Sequence, residues 1–114
     1  MADFIVEDKK YTLEEIYSHS EPGLRLQLSP SVTDKIQSSR RTLESVLKSG
    51  KTVYGVNTGF GKLSQVKISD SQITQLQKNL LLSHAAGVGN PVETSLVRLM
   101  MVLKVLSLSK GYSG

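Results

Sequence analysis

Apolar residues along the chain follow two periods. Phe4-Ile5-Val6 and Leu24-Arg25-Leu26-Gln27-Leu28 read as short strands, the second alternating apolar and polar positions with period two. Between them Thr12, with Glu15 three residues on, has the spacing of a helix cap, and Glu21-Pro22-Gly23 turns the chain. From Ser29-Pro30-Ser31 the pattern becomes helical. Val32, Ile36, Leu43 and Leu47 share one face, while Lys35, Ser38, Arg41 and Ser45 occupy the other. Pro30 suits a first turn, Ser31 with Asp34 has capping-box spacing, and Gly50 supplies the stop. A second long helix starts at Ser69, spaced to Gln72 in the same way, with Ile73, Leu76 and Leu80 as its apolar stripe. His84 lies one turn further along that stripe, which predicts an inward-facing ring.

The third helix, predicted from about Glu93 to Lys110, has a different character. Ten of the thirteen residues from Leu96 to Leu108 are apolar. Arg98, Ser107 and Lys104 fall at about 0°, 180° and 240° around the axis, which leaves no polar face. Such a helix is normally buried on all sides. It is too short for a membrane span and carries two cations. The whole chain has only six aromatic side chains with which to surround it, so this helix calls for more protein than the 114 residues supply. The elements together predict a mainly α fold with a small β component. There is no internal repeat, low-complexity segment or interdomain linker.

Composition narrows the classes. A length of 114 residues suits one domain, and 39% hydrophobic with 21% charged residues argues against disorder. The absence of Cys excludes disulfides, Cys-based zinc sites and thiol catalysis. The start, Met1-Ala2-Asp3-Phe4, lacks the basic region and apolar core of a signal peptide, so a cytoplasmic location is expected. The net charge of +4 is scattered from Lys9 to Lys110, with Lys9-Lys10 and Arg40-Arg41 as the only adjacent basic pairs. Neither a basic stripe nor interleaved aromatics favour nucleic-acid binding over a solvated basic surface.

Two glycine-rich stretches resemble phosphate loops and fail on spacing. Five residues instead of four separate Gly55 from Gly61, and Leu63 stands where a P-loop needs Ser or Thr. Gly87-Val88-Gly89 is followed by Val92 where a dinucleotide fingerprint needs Gly or Ala, and it leaves a helix, not a strand. His19 and His84 stand 65 positions apart with no Cys to complete a set, so no metal site is expected. Nothing in the sequence positions Asp34 or Asp70 to orient His84 in a hydrolase triad. Two features survive. Three glycines between Tyr54 and Gly61 let the backbone approach a ligand and aim Tyr54 into a pocket; a plain turn with a half-buried Tyr fits the composition too. His84, just before the Gly87 and Gly89 loop, is either a hydrogen-bonded core residue or a ligand-facing one.

Tyr54-Gly55-Val56-Asn57-Thr58-Gly59-Phe60-Gly61, then Asn79-Leu80-Leu81-Leu82-Ser83-His84-Ala85-Ala86-Gly87-Val88-Gly89, resembles the histidine/phenylalanine/tyrosine ammonia-lyase family. The stretch from Leu103 to Gly114 is similar to the segment leading into that family's central helical bundle, and the three blocks come in the family's order. The resemblance implies an electrophile, methylidene-imidazolone (MIO), formed from an internal Ala-Ser-Gly, and a tyrosine base, here Tyr54. It implies that Gly55, Asn57, Gly59 and Gly61 shape the catalytic loop. It also implies that Ser83 and His84 form the selectivity pair, with His84 binding substrate. Phenylalanine-type members usually carry Phe-Leu at that pair and tyrosine-type members His-Leu. Ser83-His84 is similar to the histidine type, which converts L-histidine to trans-urocanate and ammonia in a homotetramer. No Ala-Ser-Gly occurs in the chain; Tyr112-Ser113-Gly114 is a near miss. Residues 1–114 are thus expected to be the N-terminal segment of an α+β helical-bundle enzyme, inactive alone, without bundle or triad. The alternatives are another MIO enzyme, such as a tyrosine or phenylalanine ammonia-lyase or an aminomutase, and a non-catalytic module that keeps the lyase loops.

Overall fold

The computed structural model describes residues 3–114. The elements run β1 (Asp3–Val6), α1 (Leu13–His19), β2 (Arg25–Leu28), α2 (Pro30–Lys48), a short 3-10 turn (Gly61–Leu63), α3 (Asp70–His84) and α4 (Thr94–Leu108). This is the mainly α, slightly β fold that the patterning predicts. Two compact units divide the chain: residues up to Leu43 together with Pro91–Gly114, and the continuous stretch Glu44–Asn90.

In the first unit β1 and β2 pair in parallel, with Asp3 opposite Arg25 and Val6 opposite Leu28. A parallel pair needs a crossover connection, and α1 lies within it. Thr12 and Glu15 form the predicted capping box at the start of α1. The Thr12 hydroxyl accepts from the Glu15 N–H at 3.2 Å, and the Glu15 carboxylate accepts from the Thr12 N–H at 2.8 Å. Phe4 and Val6 turn inward from β1 and form a buried apolar cluster with Val102 and Leu106 of α4. His19 stacks on Phe4 with centroids 3.6 Å apart, and Tyr11 meets the same ring edge-on at 5.8 Å. Arg98 ties α4 down by donating to the Ser20 carbonyl at 3.2 Å and the Leu24 carbonyl at 3.0 Å.

Helix α2 buries Val32 fully and Ile36, Leu43 and Leu47 in part, while Lys35, Ser38, Arg41 and Ser45 are exposed, as the period predicts. Its cap differs from the expected one. Ser29, not Ser31, receives the Val32 N–H at 3.3 Å, because Pro30 occupies the first helical position and the cap must be the residue before it. At α3, Ser69 is the cap residue as predicted, but no capping box forms. Its hydroxyl turns to the Gln72 side chain, and the Gln72 N–H goes to the Ser69 carbonyl. Helix α4 departs most from a buried helix. Only Val102 and Leu106 are buried, whereas Leu96, Met100, Met101 and Leu103 are 47–61% exposed. The shortage of covering side chains read from the sequence is realised as an open apolar face. Among the described residues no helix is long and apolar enough to cross a membrane.

Candidate active site

All the residues singled out for chemistry belong to the second unit. The loop that carries Tyr54 is held from inside by two short polar side chains. Asn57 is 1% exposed; its Oδ1 accepts from the Val53 N–H at 2.8 Å and its Nδ2 donates to the Lys51 carbonyl at 3.1 Å. Thr58 is fully buried; its hydroxyl accepts from the Gly55 N–H at 3.2 Å and donates to the Gly59 carbonyl at 2.9 Å. The loop then pairs with the segment that follows it. Ile68 donates to the Asn57 carbonyl at 2.7 Å and Gly59 donates to the Val66 carbonyl at 3.1 Å, around a single antiparallel bridge between Thr58 and Lys67. Every polar group of this buried turn that these bonds reach is paired within the turn itself.

Two of the glycines have distinct physical reasons. Gly55 sits at φ +77°, a conformation L side chains rarely adopt. Gly59 has an ordinary φ, but a Cβ there would stand 2.6 Å from the Leu63 Cβ and 2.7 Å from its carbonyl oxygen. Gly61 opens the 3-10 turn. The outcome for Tyr54 is a side chain 65% exposed on a rigidly held backbone, with its ring edge-on to Phe60 at 5.7 Å between centroids. Tyr54 is thus a turn residue that is exposed and not half-buried, and it is not among the residues that line the hollow beside His84.

His84 ends α3, and its predicted inward orientation is not observed. Ile73, Leu76 and Leu80 are partly covered along the stripe, but the last turn is exposed, because no other element of the unit extends over it. The His84 Nδ1 lies 2.8 Å from the Leu80 carbonyl and 3.1 Å from the Ser83 hydroxyl, which itself donates to the Leu80 carbonyl at 3.0 Å. A carbonyl only accepts, so Nδ1 carries the proton, and in the neutral ring Nε2 is left as an acceptor. His84, Phe60, Gln77, Leu80, Leu81 and Ala85 line an open hollow of about 520 Å³. Phe60 therefore touches Tyr54 on one side and borders the hollow of His84 on the other.

Three contributors escaped the sequence reading: Thr58, Phe60 and Gln77, whose Nε2 donates to the Gly55 carbonyl at 3.1 Å. For Gln77 a signal exists, since it interrupts the apolar face seven residues before His84, two turns back on the same side of α3. Among the described residues no group of three acidic or histidine side chains could hold a metal ion.

A family model for the aromatic amino acid lyases matches residues 11–114. A histidine ammonia-lyase from Salmonella paratyphi B is 44% identical over 103 residues, covering 90% of this chain. The chain spans about a fifth of the length of the curated relatives it matches, 20% in that case. A crystal structure of histidine ammonia-lyase from Trypanosoma cruzi superposes with a TM-score of 0.78 at 32% identity, over 97% of this chain and 21% of that one. A phenylalanine aminomutase from Pantoea agglomerans superposes with a TM-score of 0.85 at 29% identity, also over 97% of this chain and 21% of that one. With nearly the whole sequence inside the family match and the same backbone found in solved relatives, this chain belongs to the aromatic amino acid lyase family.

Proposed function

We propose that the chain is the N-terminal segment of a histidine ammonia-lyase, which removes ammonia from L-histidine to give trans-urocanate. The observation that carries this reading is the pairing, in one unit, of an exposed tyrosine on a fixed loop with an exposed histidine at a helix end, in a chain 44% identical to a histidine ammonia-lyase. Tyr54 is the base that takes the β-proton. A tyrosine acts as a base through its phenolate, so this role needs surroundings that favour the negative charge. His84 receives the N–H of the substrate imidazole on Nε2, the nitrogen left as acceptor by its bond to Leu80. Ser83 holds that ring orientation, and Gly55, Asn57, Gly59 and Gly61 keep the Tyr54 loop in shape.

The family is MIO-dependent, and that group supplies an electrophile that turns the substrate amine into a better leaving group. No Ala-Ser-Gly occurs in the 114 residues, so these residues do not form it. What they supply is the base, the ring contact and the loop. The full-length enzyme on this reading is a cytoplasmic homotetramer whose central helices cover α4. The structural likeness to an aminomutase supports a second reading, another MIO enzyme acting on tyrosine or phenylalanine.

The test uses the full-length enzyme. Tyr54→Phe should keep the fold and lower the rate of urocanate formation by about 10²–10⁴-fold. A near-normal rate removes Tyr54 from the base role. Rates on L-histidine, L-tyrosine and L-phenylalanine with the unaltered enzyme separate the two substrate readings.

A further inference from the structure

Gly55, the residue that follows Tyr54, is held through both its N–H and its carbonyl. The Gly55 N–H goes to the Thr58 hydroxyl, inside the loop. The Gly55 carbonyl goes elsewhere, to the Gln77 side-chain amide of α3 at 3.1 Å, and the neighbouring Val56 carbonyl lies 3.5 Å from the same nitrogen. Gly55 presents this carbonyl with a left-handed φ of +77°, a conformation that favours glycine. The loop bonds described above are all local; Gln77 reaches across 22 residues to a separate element.

Gln77 and His84 are seven residues apart on one uninterrupted helix. Seven residues at 1.5 Å each give a spacing of about 10.5 Å along the axis, with only about 20° of rotation between the two side chains. Both border the same hollow. One face of α3 thus carries an anchor for the tyrosine loop at one end and the imidazole at the other, separated by two turns of the stiffest element available.

We infer that Gln77 is a positioning residue that sets the spacing between Tyr54 and His84, and so the length of substrate side chain that fits between base and ring contact. The inference rests on the reading of Tyr54 and His84 given above. Gln77 itself touches no reacting atom. It acts by fixing the Gly55 peptide, and through it the backbone from which Tyr54 projects. The amide is the right group for the task, because it presents an N–H donor to two carbonyl oxygens without placing a charge beside the phenol.

Two measurements test it. In the full-length lyase, Gln77→Leu removes the donor from an exposed position at nearly constant size. Amide hydrogen exchange at Gly55, Asn57 and Gly59 should then accelerate by about tenfold while exchange in α1 and α4 stays the same. Gln77→Lys, which keeps an N–H donor, should restore most of the protection. In the full-length lyase, Gln77→Leu should lower kcat for L-histidine by about 10–100-fold, the order expected when a reacting group is misplaced by about 1 Å, with KM changed less than threefold. Unchanged exchange at the three amides overturns the anchoring. Accelerated exchange with an unchanged kcat overturns the link between spacing and turnover. Tyr54→Phe measured alongside keeps the questions apart: a fully active Tyr54→Phe enzyme refutes the base assignment, while the exchange result still decides the anchor.

Discussion

Asn57→Ala probes the turn on which the candidate site depends. The alanine removes the acceptor for the Val53 N–H and the donor to the Lys51 carbonyl. Each lost bond contributes a net ~0.5–1.5 kcal/mol, and a buried N–H left without a partner adds a desolvation penalty of ~1–3 kcal/mol. Val53 is half-buried, so the lower part of that penalty applies. The sum is a destabilisation of about 2–4 kcal/mol, enough to lower the equilibrium constant for forming this turn by a factor of roughly 30 to 700 at 1.4 kcal/mol per decade. Urea unfolding followed by far-ultraviolet circular dichroism reads it as a lower midpoint at an unchanged slope. Asn57→Asp keeps the acceptor and loses the donor, so its loss should fall between wild type and alanine. An alanine variant within about 0.5 kcal/mol of wild type would refute the claim that Asn57 holds the loop, since that is the ordinary range for surface changes.

Gly59→Ala should destabilise by about 1–3 kcal/mol, the usual cost of overpacking, because its Cβ meets backbone of Leu63 and not just a yielding side chain; an unchanged urea midpoint would show that the 3-10 turn yields freely. Glu15 gives a pH dependence. The Lys9 ammonium and the Thr12 N–H hold its carboxyl below the ordinary 4.5, so its contribution is complete above that value and is lost as pH falls through the lower folded value. The Lys9–Glu15 pair is exposed, so added salt weakens the effect. Glu15→Gln should flatten the decline in stability between about pH 5 and pH 3, and an identical slope in both proteins would remove Glu15 from the account.

Local chemistry was legible in the sequence wherever a signal and its target lay within a turn of each other. Thr12 and Glu15 cap α1 because both partners of the box sit three residues apart, and Glu15 serves the box with one oxygen while the other takes the Lys9 ammonium. Ser31 and Asp34 have capping-box spacing, but Pro30 is the stronger constraint: it fixes the first helical position and makes Ser29 the cap. Periodicity gave the angle of His84 around α3 but not the reach of the neighbouring layer, and it is that reach which leaves the ring exposed. The tyrosine loop was found by its glycines and by its resemblance to a family. Of its two buried polar supports, Asn57 is marked by that resemblance, whereas Thr58 lies outside any apolar pattern that would mark it. Gln77 bonds across 22 residues to a backbone carbonyl, and a carbonyl carries no sequence identity to read.

The division of the chain into units carries a consequence for synthesis on the ribosome. Glu44–Asn90 is continuous, so every residue that bonds to the tyrosine loop has been synthesised once residue 90 has cleared the exit tunnel. The other unit is made from both flanks of that stretch. Phe4 and Val6 emerge early but find their core partners only when Val102 and Leu106 follow, about a hundred residues later. At a translation speed of about 5–20 residues per second, the strand pair waits several seconds with its apolar face uncovered. The residues of the tyrosine loop and its supports are therefore all synthesised before the strand pair of the other unit meets the helix that buries it.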